Sequence, residues 1–165
     1  MVAERGITGA AMDEIALRSG VSKATIYGRW PSKDALCLEA IRVLQTALPI
    51  YRSSNPRDDC VKMLSDYLAI HERIVPRILA EISDNAQVAE LFDSNIIKPR
   101  RDLCEDIVQR AIVGRQLRAQ TDVQLAVDLL IGPVFYRRLI SGASTPDKAL
   151  PHRIVDAVWS AFQAP

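Results

Sequence analysis

Apolar residues recur every three to four positions along most of the chain, and no segment alternates apolar and polar residues for the length of a strand. This spacing places apolar side chains on one face of a helix, so it predicts an all-α fold. Prolines, Gly20 and polar stretches interrupt the pattern. The predicted helices span 12–19, 23–30, 33–48, 57–74, 76–83, 87–113 with a break or kink at Pro99, 123–140 and 152–162.

The clearest linker is "YRSSNPRDD", Tyr51 to Asp59, which is polar and contains a turn-forming Asn-Pro pair. A length of 165 residues fits one small domain joined to a larger one. We therefore expect an N-terminal domain over 1–48 and a C-terminal domain over 49–165. The last two predicted helices carry apolar residues on more than one face, which indicates burial on several sides. In a chain of this size, a second copy of the protein is expected to cover the additional side.

Composition limits the function only loosely. A hydrophobic fraction of 48% provides a core, and a net charge of +1 means that any nucleic-acid surface must be local. Cys37, Cys60 and Cys104 are widely spaced, which favours reduced thiols in a cytoplasmic protein. We expect no membrane segment, since no apolar run approaches the roughly 18 residues of a span. We also expect no cofactor, metal site or enzymatic activity, because the sequence contains no GxSxG, HExxH or phosphate-binding glycine loop.

The stretch "GVSKATIYGRWPSK", Gly20 to Lys33, contains three cations and no acid. Gly20 can end one short helix in the left-handed conformation, and Ser22 can cap the next. Val21 and Ile26 are expected to pack back onto the first helix. Helix, glycine turn and helix in this order predict a helix-turn-helix whose second helix enters the DNA major groove.

The side chains of the second helix, together with Lys33 just after it, support this interpretation. Lys23, Thr25, Tyr27, Arg29 and Lys33 are donors for phosphate, and the Arg29 fork matches guanine O6 and N7. Ser22 and the free N–H groups of the helix start can also hold a phosphate. The alternative is an ordinary solvated face, with Tyr27 and Trp30 as core residues.

The segment "MDEIALRSGVSKATIYGRWPSKDAL" resembles the TetR family of bacterial transcriptional repressors, whose pattern is a short helix followed by "AGVSKGTIYxxFxSKExL". "LLIGPVFYRRLISG" also resembles the penultimate helix of one group within the family. The resemblance implies an all-helical homodimer with a helix-turn-helix DNA-binding domain and a C-terminal domain for effector binding and dimerisation. It also implies a repressor that binds a pseudo-palindromic operator in double-stranded DNA and is released by a small-molecule effector. The implied DNA contacts are Ser22, Lys23, Thr25, Tyr27, Gly28, Arg29 and Lys33.

Two further residue sets follow from the resemblance. The dimer interface would include Val127, Leu130, Phe135, Tyr136, Val158, Trp159 and Phe162, although the aromatic members could equally belong to the core of one chain. The effector pocket would draw on Tyr67, His71, Ile78, Ile82, Phe92, Ile96 and Leu103. These mostly apolar residues suit a lipophilic or aromatic effector, but ordinary core packing predicts the same composition, and His71 could be a structural residue.

The sequence departs from the family pattern in two places. Members normally have a full first helix before "AERG", and "MVAERG" retains little of it, so the N-terminal domain is expected to be short of packing. Ala10 and Ala11 stand where the family often has a threonine cap, whose loss costs about 1 kcal/mol. If this shortening abolishes DNA binding, the alternative function is a dimeric helical module that binds a ligand or a protein.

Overall fold

The computed structural model describes residues 11–36, 39, 49–69, 86–139 and 147–164, which fall into two compact units. The first unit comprises Met1–Leu48 and Arg73–Lys98, and the second comprises Pro49–Glu72 and Pro99–Pro165. The named elements within these ranges are helices, accompanied by an isolated bridge between Leu117 and Gln163. The expected all-α fold is therefore confirmed. None of the described helices is both long enough and apolar enough to span a membrane.

The first unit contains the predicted helix-turn-helix. Helix α1 is Met12–Ser19 and helix α2 is Lys23–Arg29, and the two contact each other. Gly20 joins them with φ 69°, a left-handed conformation that favours glycine because it lacks a Cβ. Helical residues resume at 33–36, where the Ser32 hydroxyl accepts the Ala35 amide at 3.1 Å. The expected turn and the expected Ser32 cap are both present.

The remaining described part of the first unit is helix α3, Ala86–Phe92, followed by a π turn, Asp93–Ile97. Helix α4, Lys98–Val113, continues directly from it, and the Lys98 amide donates to the Asp93 carbonyl. Pro99 has no amide to donate, and its ring would crowd the carbonyl four residues back in a regular helix. The expected irregularity at Pro99 thus takes the form of a widened turn rather than a break.

The second unit packs helix α4 with three further helices around one apolar core. They are α5, Val123–Leu139, and α6, Leu150–Phe162, together with the helix Pro56–Ala69. This last helix, labelled α0, lies between α2 and α3 in the sequence. Helix α6 contacts both α0 and α5, and α0 also contacts α5. Asp122 caps α5 as expected, since its carboxylate accepts the Leu125 amide at 3.0 Å. The largest fully buried side chains of this core are Met63, Leu64, Ile107, Val108, Leu117, Leu130, Val127 and Val155.

The predicted linker is fixed to the second unit instead of being a solvated connection. Tyr51 is buried and its hydroxyl donates to Asp66 at 2.8 Å. The Asp59 carboxylate accepts the Ser53 amide and a guanidinium N–H of Arg110, the latter at 2.9 Å. Arg110 also donates to the Tyr51 carbonyl at 2.6 Å. These bonds join the segment before α0 to helices α0 and α4.

The connection after α4 is held against the end of α6. Arg115 has φ 55°, and the Gln116 amide donates back to the Ala111 carbonyl at 2.8 Å, which closes the helix. The Arg118 amide donates to the Phe162 carbonyl at 2.9 Å. Trp159 Nε1 donates to the Gln116 side chain at 3.2 Å. The indole of Trp159 is therefore buried within a single chain with its polar atom satisfied.

Candidate nucleic-acid interface

Helix α2 begins with a side-chain cap of the kind that the sequence predicted. The Ser22 hydroxyl accepts the Thr25 amide at 3.1 Å and lies 2.9 Å from the Thr25 hydroxyl. Lys23 is the first residue of the helix. Two hydroxyls and Lys23 thus lie at one exposed end of the helix, a combination that suits an anionic ligand.

The side chains predicted to contact DNA are outside the protein core. Tyr27 is 48% exposed and Lys33 is half-buried. Ile26, which directly precedes Tyr27, is buried at 4% exposure and anchors the helix. Val21 was expected to pack back onto the first helix together with Ile26, but it is 38% exposed, which agrees with the expectation that the N-terminal domain is short of packing. The other predicted DNA contacts are all exposed: Ser22, Lys23, Thr25, Gly28 and Arg29.

Lys23 forms an ion pair with Asp13 of α1. Both side chains are exposed, so water and salt screen the pair. The sequence reasoning missed Asp13, because it considered the acid-free stretch Gly20–Lys33 by itself. The approach of α1 to the start of α2 brings the carboxylate beside a cation predicted to contact DNA.

Arg29 lies against the ring of the next residue. Its guanidinium carbon is 4.9 Å from the centre of the Trp30 ring, within range of a cation–π interaction. Trp30 is half-buried and ends α2 in an extended conformation. One face of the Trp30 indole thus restrains the arginine that the sequence assigned to base reading.

Gly28 is the least expected residue in α2. It occupies the next-to-last position of the helix, is exposed, and a Cβ placed on it would meet no heavy atom of the described residues within 4 Å. Glycine in a helix costs about 0.5–1 kcal/mol relative to alanine. Packing in the part of the chain that the structure describes gives no reason for a glycine at this position.

The residues predicted for the effector pocket are distributed over both units. Tyr67 is buried in the second unit, where half-buried Leu103 packs against the core. Phe92 is buried in the first unit, and Ile96 belongs to its π turn. His71, Ile78 and Ile82 lie outside the described residues.

Beside Tyr67 lies a charged residue that the sequence reasoning missed. Arg100 is 8% exposed, and its guanidinium carbon is 5.5 Å from the centre of the Tyr67 ring. The Tyr67 hydroxyl is 3.4 Å from the Arg100 carbonyl oxygen. Burial lowers the pKa of the Arg100 guanidinium, and the neighbouring Tyr67 and Tyr51 partly oppose this shift. An arginine in "KPRRD" offers no sequence signal to distinguish it from the adjacent Arg101.

Most residues predicted for the dimer interface are enclosed by their own chain. Val127, Leu130, Val158, Trp159 and Phe162 are buried in the core of the second unit. Phe135 is half-buried and Tyr136 is 60% exposed. A separate set of α5 residues faces outward with Tyr136, namely Leu125, Leu129 and Gly132.

These four residues, Leu125, Leu129, Gly132 and Tyr136, are the α5 stripe. Their spacing of four, three and four positions places them on one helix face. Among the residues that the structure describes, a Cβ on Gly132 would meet no heavy atom within 4 Å. The α5 stripe therefore combines exposed apolar side chains with a position where another backbone could approach closely.

Comparison with known proteins finds a matching family model for each of two parts of the sequence. Residues 1–40 match the family model of bacterial regulatory proteins, tetR family, and residues 56–158 match that of the tetracyclin repressor-like C-terminal domain. The chain is 29% identical to an uncharacterized HTH-type transcriptional regulator, YdeS, of Bacillus subtilis, over 99% of this chain and 83% of that protein. An uncharacterized HTH-type regulator of Mycobacterium tuberculosis is 28% identical, over 85% of this chain and 71% of that protein.

Solved structures agree with this assignment. The TetR family transcription regulator SCO0332 superposes with a TM-score of 0.77 and 26% identity, covering 98% of this chain and 91% of that chain. The regulator FadR from Bacillus subtilis, solved in complex with stearoyl-CoA, superposes with a TM-score of 0.75. It is 15% identical, covers 98% of this chain and 94% of that chain, and shares the fold.

Proposed function

The chain belongs to the TetR family of bacterial transcriptional regulators, and we propose that it is a repressor that binds a pseudo-palindromic operator as a homodimer. A small-molecule effector bound by the C-terminal domain would release it. We keep the division into an N-terminal domain over 1–48 and a C-terminal domain over 49–165 as part of this proposal. We also propose a cytoplasmic location, where the chromosome is accessible.

The observation that carries the DNA-binding part is Gly28. The chain gives up helix stability at this position, and no contact among the described residues compensates for it. A glycine lets a foreign surface approach the helix backbone more closely than any side chain would. In a recognition helix, that surface is the floor of the major groove, with Arg29 beside it to read a base edge.

The other side chains of the interface divide by role. Lys23, Thr25, Tyr27 and Lys33 are donors suited to phosphate oxygens, and they set the position of the helix on the duplex. Ser22 caps the helix start, where first-turn backbone amides have no partner within the helix and can also hold a phosphate. Such contacts confer affinity and salt dependence, whereas Arg29 would confer sequence preference.

The α5 stripe supports the homodimer. A second copy related by two-fold symmetry would cover Leu125, Leu129 and Tyr136, and its helix would cross close to Gly132. Two helix-turn-helix units held in this way would read half-sites roughly 34–36 Å apart, or a multiple of that distance. This accounts for the proposed pseudo-palindrome.

The effector would act by favouring a dimer whose two recognition helices no longer match the half-site spacing. Coupling between effector and DNA is reciprocal and typically amounts to about 1–3 kcal/mol. Equal effector affinity for the free and the operator-bound protein would contradict this mechanism. The fold shared with the stearoyl-CoA-bound regulator makes acyl-CoA thioesters reasonable first compounds to test.

The deciding experiment is a pull-down of genomic fragments followed by sequencing, at low and at physiological salt. We expect enrichment of a pseudo-palindromic motif, and we expect Arg29→Ala to abolish it. Arg115→Ala provides the matched control, because Arg115 is an exposed arginine of the second unit. No enriched motif with the unaltered protein would favour the alternative, a helical ligand- or protein-binding module without DNA binding.

A further inference from the structure

Trp30 is held in place at the end of α2 by the residues on both sides of it. Its amide donates to the carbonyl of Ile26, the buried residue of the helix, at 2.9 Å. Its backbone is extended, with φ −124° and ψ 116°. A following proline favours this conformation, because the ring of Pro31 crowds an α-helical residue that precedes it. The half-buried indole therefore stands at a backbone position that the local sequence determines.

The indole of Trp30 provides a surface for the preceding side chain. Arg29 is the last residue of α2 and is exposed, and its guanidinium carbon lies over the Trp30 ring, 4.9 Å from the ring centre. An exposed arginine otherwise populates many rotamers, and a ligand that fixes it must offset the lost entropy. The cation–π contact favours those rotamers that keep the guanidinium over the ring. A guanidinium has five N–H donors, so the contact leaves donors for the two hydrogen bonds to a base edge.

We propose that Trp30 is a positioning residue for DNA recognition: it restricts Arg29 to the rotamers from which the guanidinium reads a base pair. This inference rests on the proposed DNA-binding function, and it adds a residue that acts on specificity without touching a base. Gly28, on the other side of Arg29, has no side chain that could restrain it. The restraint that the structure shows on Arg29 thus comes from Trp30.

The restraint affects one base pair of each half-site. Where Arg29 makes two hydrogen bonds to a guanine, a side chain that is already positioned loses less entropy, so the correct pair is bound more tightly. At the other pairs, and at the phosphates contacted by the rest of the interface, Trp30 changes nothing. A purely structural Trp30 would behave differently, because its loss would displace α2 and weaken all contacts together. Its loss would also reduce the salt dependence of binding, which follows the number of phosphate contacts.

The test uses the full chain and the genomic fragment most enriched in the pull-down, together with fragments in which one base pair of one half-site is replaced. Affinity is measured by fluorescence anisotropy at several salt concentrations. The pair read by Arg29 is the one at which Arg29→Ala no longer distinguishes the original fragment from the altered one. At that pair we expect Trp30→Leu to reduce the discrimination about two- to tenfold, the range for fixing one flexible side chain. Discrimination at the other pairs and the salt slope should stay unchanged.

Three variants serve as controls. Trp30→Phe keeps an aromatic face and should keep most of the discrimination, which is the rescue expected of a ring that acts on a cation. Ile26→Val removes a buried methyl group from the same helix and lowers its stability, but it retains the indole and should keep the discrimination. Adding Trp30→Leu to Arg29→Ala should cause no further loss at the identified pair, because the altered chain has no arginine to position.

A second measurement needs no DNA and does not depend on the folding of Trp30→Leu. The ring current of an indole shifts the side-chain proton resonances of an arginine that lies over it upfield. NMR of the unaltered protein with labelled arginine should therefore show an upfield-shifted side chain whose resonances disappear in Arg29→Lys. The same resonances should move toward ordinary positions in Trp30→Leu.

Three results would overturn the proposal: no shifted Arg29 resonance, a loss of discrimination that is equal at all base pairs, or equal losses in Trp30→Phe and Trp30→Leu. If the pull-down enriches no fragment, the proposed function has failed, and this role of Trp30 fails with it. An operator that Trp30→Leu binds with full discrimination would leave the DNA-binding function in place and overturn the role of Trp30 alone.

Discussion

The ammonium group of Lys23 and the carboxylate of Asp13 form an ion pair across the helix-turn-helix. Lys23 stands at the start of α2, where the proposal places a DNA phosphate. A phosphate bound there would therefore compete with Asp13 for the same cation. An internal carboxylate beside a DNA contact is a means of limiting nonspecific affinity, which derives mainly from phosphate contacts.

Replacing Asp13 with Asn should strengthen DNA binding. The pair is exposed and worth about 0.2–1 kcal/mol, so we expect up to about a fivefold gain in affinity. The slope of log affinity against log salt should steepen by up to about 0.9, since one more cation is available to phosphate. Fluorescence anisotropy across a salt series measures both quantities. Asp102→Asn, at an exposed carboxylate of α4, is the control; equal behaviour of the two variants would contradict competition by Asp13.

Gly28→Ala should separate stability from DNA binding. A Cβ fits without contact, so the variant should gain about 0.5–1 kcal/mol in the free energy of unfolding. The same methyl group should hinder approach to the groove and reduce operator affinity. Chemical denaturation and anisotropy measure the two effects. Ala24→Gly, at an exposed position of the same helix, should lose a similar amount of stability. A Gly28→Ala variant with undiminished affinity would refute a close approach at this residue.

Ala11→Ser should stabilise the N-terminal domain. Ala11 is the cap residue of α1, has the extended backbone typical of caps, and provides no side-chain hydrogen bond. A serine there can accept an amide of the first turn, which is worth about 1 kcal/mol. Amide hydrogen exchange of α1 should slow accordingly. Ala11→Val, which has no acceptor, should give no such protection; an equal effect of serine and valine would argue against capping.

Asp59 should make the C-terminal domain sensitive to acid. Burial alone would raise the pKa of Asp59, but hydrogen bonds from Ser53 and Arg110 outweigh it and hold the pKa below its usual value. Because the folded-state pKa is the lower one, the carboxylate contributes its full stability above the unfolded value of about 3.9. That contribution is lost as the pH falls toward the folded-state pKa.

Asp59→Asn should therefore lower the free energy of unfolding by about 1.5–3 kcal/mol at neutral pH, the range for hydrogen bonds to charged groups. Urea denaturation at several pH values measures the difference from the unaltered protein. The difference should begin to shrink below about pH 3.9, where the carboxylate of the unfolded chain takes up a proton, and it should disappear below the lower pKa of the folded state. A difference that stays constant down to the lowest pH would show that the loss does not come from the charge of Asp59.

Leu129→Glu should prevent dimerisation. Leu129 is 42% exposed in the middle of the α5 stripe, and a charge buried against its symmetry mate would be costly. Sedimentation velocity should show a monomer with unchanged helix content. Val113→Glu, at an exposed apolar residue outside the α5 stripe, is the control and should leave the dimer intact. Identical sedimentation of both variants and the unaltered protein would exclude the α5 stripe as the interface.

Features that depend on a few neighbouring residues were predictable from the sequence. The turn at Gly20 and the caps at Ser22, Ser32 and Asp122 are determined within a span of four residues, and the structure has all four. Features that depend on packing between helices were not. Helix α5 is apolar on several faces, so periodicity could not distinguish Val127, which is buried, from Leu129, which is exposed.

The same limit applies to charged side chains. Asp13 is ten residues from Lys23 in the sequence, and only the crossing of two helices brings them together. The contact between Arg100 and Tyr67 likewise joins residues of two different helices. The polar composition of Tyr51–Asp59 indicated a solvated linker, but its polar groups bond to each other and to Arg110. Composition reports which groups can form hydrogen bonds and leaves open whether water or protein is the partner.

The π turn at Asp93–Ile97 affects how this protein is compared with its relatives. The amide of Lys98 reaches back five residues, to Asp93, so the turn contains one residue more than a turn of α-helix. An alignment that runs through this helix without a gap would assign every residue on one side of the turn to a face rotated by about 100°. Aligning it with an uninterrupted helix therefore requires a one-residue gap inside a helix, where alignment methods place gaps least readily.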